Sequence, residues 1–151
     1  ILNEEVIVML DHLEDPHNMG AIIRTCEAAG IKSLIIPKDR AVKVNSTVIK
    51  VSVGTIEKVK IALVNNLVNT LKELKTKGYW VIGTDMEGTD YKKIDYSGKI
   101  VLVIGNEGKG MSRLLKENCD FVASIPMRGT VNSLNASVAA ALIIYEAVRN
   151  R

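Results

Sequence analysis

The sequence of 151 residues has few of the features that mark membrane-spanning or disulfide-stabilised proteins. Its longest apolar run, residues 138–145, is far shorter than the roughly 18–20 residues that span a bilayer. It contains two cysteines, Cys26 and Cys119, which lie far apart and have no C-x-x-C or histidine spacing around them. We therefore expect reduced thiols, a cytoplasmic location and no metal site.

The sequence also has few aromatic residues and only a small net charge. One Phe and one Trp leave little material for a platform on which single-stranded bases could stack. The net charge of +3 is compatible with nucleic acid without requiring it, because the lysines are scattered along the chain. A hydrophobic content of 47% and a charged content of 25% suit one globular domain with a substantial core.

Short branched apolar runs alternate with amphipathic helical patterns along the chain. This alternation predicts a parallel α/β sheet flanked by helices. The predicted strands are residues 6–10, 33–36, 79–83, 100–104 and 121–125. The predicted helices are residues 18–29, 65–77, 112–117 and 133–148. Two polar stretches, 38–44 and 86–99, are predicted to be loops.

The first of three candidate site segments lies where the first strand gives way to a helix. It reads D-P-H-N-M-G-A-I-I-R over residues 15–24, with Asn18 as a candidate N-cap. Arg24 follows on about the opposite helical face. Because Ile22, Ile23 and Ala28 surround Arg24 in the sequence, we expect its guanidinium to have a fixed anionic or carbonyl partner. A capped helix with a surface arginine is the alternative interpretation.

The second segment follows the apolar run 100–104 and reads G-N-E-G-K-G from Gly105 to Gly110. Glycine-rich turns after strands usually bring backbone amides close to a ligand. The glycine spacing matches neither the P-loop nor G-x-G-x-x-G, which argues against a dinucleotide-dependent oxidoreductase. A purely structural turn has no need of Glu107 at its tip, so Glu107 is a candidate site residue.

The third segment joins the last predicted strand to the terminal helix. It passes through I-P-M at residues 125–127 and ends in S-L-N-A-S at residues 133–137. Ser133 is placed to cap the terminal helix and satisfy its free amide groups. Capping does not account for Asn135, which is therefore a further candidate for the site.

Taken together and in this order, the three segments resemble motifs 1, 2 and 3 of the SpoU/TrmH group of SPOUT RNA methyltransferases. The resemblance covers residues 6–149 and implies a C-terminal deep trefoil knot, a homodimer and methyl transfer from S-adenosylmethionine to a ribose 2′-hydroxyl of RNA. Residues 15–25 are especially similar to bacterial enzymes that methylate a guanosine in ribosomal RNA. Ribose methylation of transfer RNA is an alternative, as is a non-catalytic knotted module that binds RNA or S-adenosylmethionine.

The resemblance also assigns roles to residues. The implied catalytic residues are Asn18, Arg24, Glu107, Ser133 and Asn135. The implied donor-binding residues are Thr84, Gly105, Ile125, Met127 and Leu134, with Ile125 and Leu134 flanking the adenine. Because arginine is a poor proton acceptor, we expect Arg24 to anchor a phosphate or stabilise the developing alkoxide rather than act as a base.

Two further expectations concern the extent and assembly of the protein. The resemblance implies one catalytic domain over residues 1–151. Many relatives with this pattern carry an N-terminal RNA-binding domain, whereas this sequence begins at the first catalytic strand, so we expect a minimal family member or part of a longer protein. An apolar stripe on the terminal helix, including Leu142, Tyr145 and Val148, is expected at the interface of a homodimer.

Overall fold

The computed structural model describes residues 4–13, 15–39, 58–105 and 110–151. Within these residues, six strands form one parallel sheet in the order β3-β2-β1-β5-β4-β6. The strands are β1 (Val6–Leu10), β2 (Ser33–Pro37), β3 (Lys60–Val64), β4 (Trp80–Asp90), β5 (Ile100–Ile104) and β6 (Phe121–Ser124). Strands β2 and β3 extend the sheet from β1 on one side, whereas on the other side β5 is inserted between β1 and β4, so the order reverses between β1 and β5.

Helices cover both faces of this sheet. They are α1 (Pro16–Ala28), α2 (Leu67–Thr76), α3 (Arg113–Glu117) and α4 (Ala136–Val148). Helices α1 and α4 pack together in the apolar cluster on one face, whereas α2 and α3 belong to the cluster on the other. The predicted parallel α/β sheet flanked by helices is therefore confirmed. None of the helices in the described ranges combines the length and apolar character that a membrane crossing requires.

The two central strands are apolar on both faces because helices cover them on both sides. Along β1, Val8 joins the cluster with α1 and α4, while its neighbours Ile7 and Met9 join the cluster with α2 and α3. All five residues of β1 and all five of β5 are buried. Burying an aliphatic side chain of this size stabilises a fold by about 1.5–3 kcal/mol, so these strands anchor the core.

Helix α1 begins two residues before the predicted start at residue 18. Asp15 is the N-cap, and its carboxylate accepts a hydrogen bond from the His17 amide at 2.8 Å. Pro16 occupies the first helical position, where a missing N–H leaves no bond unmade. The prediction of Asn18 as the cap was therefore wrong: it lies inside the first turn with its side chain buried.

Both edges of the sheet differ from the sequence prediction. The edge strand β3 was not predicted, and β4 continues to Asp90 instead of ending at residue 83. Thr84 and Thr89 both lie opposite Ala123 of β6, so residues 85–88 bulge out of the ladder. The predicted loop 86–99 was therefore wrong in its first part. The predicted loop 38–44 lies mostly outside the described residues.

Candidate active site

A cleft of about 950 Å³ opens at the carboxyl edge of the sheet, lined by residues 84–87 of β4, by the ends of β5 and β6, and by the start of α1. Parallel α/β sheets usually bind ligands at this edge, beside a reversal in strand order. The volume is in the range of sites for small molecules and cofactors. Eight of the ten residues predicted for the site line the cleft: Asn18, Thr84, Gly105, Ile125, Met127, Ser133, Leu134 and Asn135.

The backbone of Gly105, directly after β5, lies against the backbone of Gly110 at one side of the cleft. A Cβ atom on Gly105 would lie 2.5 Å from the carbonyl carbon of Gly110 and 2.6 Å from the amide nitrogen of Met111. No side chain fits there. The sequence suggested that this glycine makes room for a ligand, but the chain's own backbone takes the space.

Thr84, which precedes the bulge of β4, links β4 to the end of the neighbouring strand β5 at the cleft. Its hydroxyl donates to the Val103 carbonyl at 2.9 Å and accepts from the Gly105 amide at 3.3 Å. The Gly105 N–H is therefore already engaged, and a ligand at this point has to use other atoms. A hydroxyl that bridges two strands holds the position of the turn without the flexibility of a surface side chain.

The opposite wall of the cleft is the segment that leads from β6 into α4. Asn135, and not Ser133, caps this helix: its side-chain oxygen accepts from the Ser137 amide at 2.9 Å and from the Ser137 hydroxyl at 2.6 Å. Contrary to the sequence prediction, Asn135 therefore has a capping role and Ser133 has none. Ser133 lies two residues before the cap and is exposed at the cleft.

Two predicted catalytic residues are not placed in the cleft. The Arg24 side chain is exposed on α1, and it makes no ion pair or hydrogen bond with any residue in the described ranges. The expected fixed partner of Arg24 is thus not found among them, because Ile22 and Ile23 are buried on another face of the helix. Glu107 lies in the stretch 106–109, outside the described residues.

Acidic residues that the sequence analysis missed line the cleft at the bulge of β4. They are Asp85 and Glu87, with the exposed Met86 between them. The Asp85 carboxylate accepts from the Met86 amide at 2.7 Å and lies 3.5 Å from the Lys116 ammonium. A polar residue directly after a buried strand was a usable signal for Asp85, but the polar composition of 86–99 suggested only a loop.

Neither cysteine offers a reactive thiolate to the cleft. Cys26 and Cys119 are both free thiols. Burial raises the pKa of the Cys26 thiol to about 12. Burial, reinforced by the charge of Asp120, raises the pKa of Cys119 to about 11. Both thiols are therefore protonated near neutral pH and poorly nucleophilic. The described residues contain no group of three His, Cys, Asp or Glu side chains placed to hold a metal ion.

Comparison with known proteins agrees with this geometry. The model of the SpoU rRNA Methylase family matches residues 5–145. A Staphylococcus saprophyticus protein assigned to the TrmH family of tRNA/rRNA methyltransferases is 53% identical over 146 residues, which cover 96% of this chain and 59% of that protein. The chain therefore spans about three fifths of the length of this curated relative.

Solved structures share the fold. The SpoU methyltransferase AviRb from Streptomyces viridochromogenes, in complex with the cofactor AdoMet, matches with a TM-score of 0.89 and 32% identity, over 97% of this chain and 61% of that chain. The A. aeolicus TrmH/SpoU tRNA modifying enzyme matches with a TM-score of 0.91 and 36% identity, over 99% of this chain and 76% of that chain.

The fold and the cleft define the class first: a parallel α/β protein with a cleft of ligand size at the carboxyl edge of its sheet. The family match then narrows that class, since it extends over most of the chain and includes all three segments identified in the sequence. The chain belongs to the SpoU/TrmH methyltransferase family.

Proposed function

We propose that residues 1–151 form the catalytic domain of an enzyme that transfers a methyl group from S-adenosylmethionine to a ribose 2′-hydroxyl of RNA. The observation that carries this proposal is the cleft, in which three segments far apart in the sequence meet at one sheet edge. Family membership and the AdoMet complex of AviRb support the choice of donor. A guanosine of ribosomal RNA is the favoured target. Transfer RNA is the second candidate, favoured by the A. aeolicus enzyme.

The chemistry of the cleft fits an adenosyl sulfonium ligand. Ile125 and Leu134 offer apolar surface for the adenine, and Asp85 and Glu87 offer carboxylates for hydroxyl groups or positive charge. When bound, S-adenosylmethionine supplies a methyl group that is already activated. The protein therefore has mainly to orient the acceptor hydroxyl toward the donor, and orientation alone supplies much of a rate enhancement.

We assign the eight predicted residues that line the cleft, together with Glu107, to two groups. The donor-binding group is Thr84, Gly105, Ile125, Met127 and Leu134. The group that orients the nucleotide by hydrogen bonds is Asn18, Glu107, Ser133 and Asn135. Asn135 has a double role in this assignment, because the same side chain caps α4 and so fixes the position of Leu134 and Ser133 beside it.

We assign Arg24 to the RNA. Its guanidinium is exposed and has no anionic partner among the described residues, so it is available to a phosphate. A guanidinium is permanently protonated in proteins and does not accept the proton of the ribose hydroxyl. It can hold the adjoining phosphate with two parallel hydrogen bonds, or stabilise negative charge that develops on the hydroxyl oxygen.

We also propose that the C-terminal part of the domain forms the deep trefoil knot implied by the family resemblance. Strand β6 lies at one edge of the sheet, beyond β4, whereas α4 packs against α1 in the cluster that includes β1. Residues 125–135 therefore have to cross the strand ends between these positions, which supports a threaded path. An experimental trace of the backbone through residues 105–112 and 125–135 tests this.

We expect S-adenosylhomocysteine to bind this chain in titration calorimetry, with NADH competing poorly. Because the glycine turn lacks the dinucleotide spacing, it offers no cradle for a pyrophosphate. The matching activity assay is tritiated methyl transfer to ribosomal and transfer RNA from cells lacking the enzyme, followed by nucleoside analysis for 2′-O-methylguanosine. Binding of NADH in place of S-adenosylhomocysteine, or label on a base, would overturn the proposed reaction.

We further propose that two copies of the chain associate through α4. Val138, Leu142 and Tyr145 are 50%, 41% and 50% exposed, an unusual apolar content for a free helix face. With Ala21 and Thr25 of α1 they line a groove of about 920 Å³. A two-fold axis would pack this stripe, together with the half-buried Val148, against its own copy.

Light scattering at micromolar concentration is expected to show a dimer that Tyr145→Glu converts to a monomer. A buried carboxylate at the centre of an apolar interface costs several kcal/mol when it has no partner. Leu63→Glu is the matched control, because Leu63 is similarly exposed but lies on the edge strand β3. It should leave the dimer intact. A wild-type monomer with full activity would be the contrary result.

A further inference from the structure

The cleft is acidic although the chain as a whole is basic. Three carboxylates line it, from Asp15, Asp85 and Glu87, and the described lining residues include no Lys, Arg or His. The net charge of the chain is nevertheless +3. The cleft therefore has an electrostatic preference opposite to that of the whole chain.

The three carboxylates differ in how far their charge is already compensated. Asp15 is the N-cap of α1, where the helix dipole favours a negative charge. Asp85 lies 3.5 Å from the Lys116 ammonium, and its carboxylate accepts hydrogen bonds from the Met86 and Glu87 amides. Glu87 forms no ion pair with a residue in the described ranges. Its negative charge is therefore the one left for a ligand in the cleft.

We propose that Glu87 makes the cleft select the cationic methyl donor over its uncharged thioether product; this inference rests on the proposed function. In the transfer, the methyl carbon–sulfur bond breaks and its electron pair stays on sulfur. A new bond joins the methyl carbon to the ribose oxygen, whose proton is released. The ligand in the cleft thus loses one positive charge in each turnover. An uncompensated carboxylate at the cleft therefore stabilises the bound donor, whereas it adds little to the binding of the uncharged product.

The size of this preference follows from Coulomb attraction at partial exposure. Glu87 is exposed, so water screens its charge and the effect is moderate. At separations of several ångströms and an effective dielectric constant between those of a protein surface and water, one charge changes an affinity about three- to tenfold. Asp85 contributes less, because Lys116 compensates it.

The test measures the dissociation constants of S-adenosylmethionine, S-adenosylhomocysteine and sinefungin, whose amine replaces the sulfonium with another positive charge. Titrations at pH 7.5 and low salt compare the wild type with Glu87→Gln. Glu73→Gln is the matched control, because it removes the same charge from an exposed position on α2, on the other face of the sheet. Thermal melting checks that each variant is folded.

Glu87→Gln is expected to weaken both cationic ligands about three- to tenfold and S-adenosylhomocysteine less than about twofold. The Glu73→Gln control should leave all three affinities unchanged. In the wild type, added salt should reduce the difference in affinity between the cationic ligands and S-adenosylhomocysteine. Equal losses for all three ligands, or no loss, would overturn the role of Glu87 while leaving the proposed function intact. If none of the three ligands bound the wild type, the proposed function would fail together with this inference.

Discussion

Replacing Arg24 with alanine is expected to lower methyl transfer to RNA by about 10²–10³-fold, the usual effect of losing one preorganised charge-stabilising donor. The affinity for S-adenosylhomocysteine should remain unchanged, because Arg24 does not line the donor cleft of its own chain. Arg24→Lys keeps the charge but loses the planar fork, so it should restore activity only in part. Transfer is measured with tritiated donor and donor binding by calorimetry.

A mixture of two variants can show whether Arg24 acts at the cleft of its own subunit or at that of the second copy. Arg24 lies on α1 between Ala21 and Thr25, which line the groove proposed for the dimer. Arg24 therefore lies beside the proposed interface, and we propose that it acts at the cleft of the second copy. In an equal mixture of Arg24→Ala and Leu134→Glu subunits, half of the randomly formed dimers contain one subunit of each kind. If Arg24 acts across the interface, one of the two sites in each mixed dimer combines an intact cleft with an intact arginine. About a quarter of all sites would then be active. Activity near that level indicates action across the interface, whereas no recovery indicates action within one chain. A fully active Arg24→Ala variant would contradict the assigned role altogether.

Gly105→Val is expected to abolish donor binding and to lower the free energy of unfolding by at least about 1–3 kcal/mol, the usual penalty for overpacking. The new Cβ would lie 2.5 Å from the backbone of Gly110, so one side of the turn has to move away. Such a shift also breaks the hydrogen bond between the Gly105 amide and the Thr84 hydroxyl, which links the end of β5 to β4. Urea unfolding and calorimetry with S-adenosylhomocysteine measure the two effects.

Gly129→Val is the matched control for this change. A Cβ on Gly129 meets no atom within 4 Å, so the same substitution should cost little stability and leave donor binding close to that of the wild type. If Gly105→Val bound S-adenosylhomocysteine as well as Gly129→Val does, the close backbone meeting would not shape the donor site. Loss of binding in both variants would indicate that any valine near the cleft is harmful, and would remove the specific role of Gly105.

The sequence predicted the central strands and the location of the cleft because these depend on local patterns. Five consecutive apolar residues in β1, and five in β5, are strong signals for strands buried on both faces. The small and polar residues that follow them then have to lie at one sheet edge. Eight predicted site residues accordingly meet in one cleft.

The errors concern features that depend on contacts distant in sequence or on competition between similar residues. Asp15, Asn18, Ser133 and Asn135 all have side chains able to cap a helix, and only the final backbone path decides which two do so. The bulge at Asp85 and Glu87 arises because β6 pairs with both Thr84 and Thr89, a relation that no local pattern in β4 indicates. The face presented by Arg24 likewise depends on which side of α1 the sheet and α4 cover.

Because α1 packs against α4 and the starts of both helices line the cleft, a bound donor would contact both helices at once. The start of α1 contributes Asn18 to the cleft, and the start of α4 contributes Leu134 and Asn135. Unfolding of either helix destroys the cleft, so binding of the donor is thermodynamically linked to folding of the domain. At a concentration 100 times its dissociation constant, a ligand that binds only the folded state adds about 2.7 kcal/mol to the free energy of unfolding. At low donor concentration this contribution is lost, so the domain is easier to unfold when the cleft is empty.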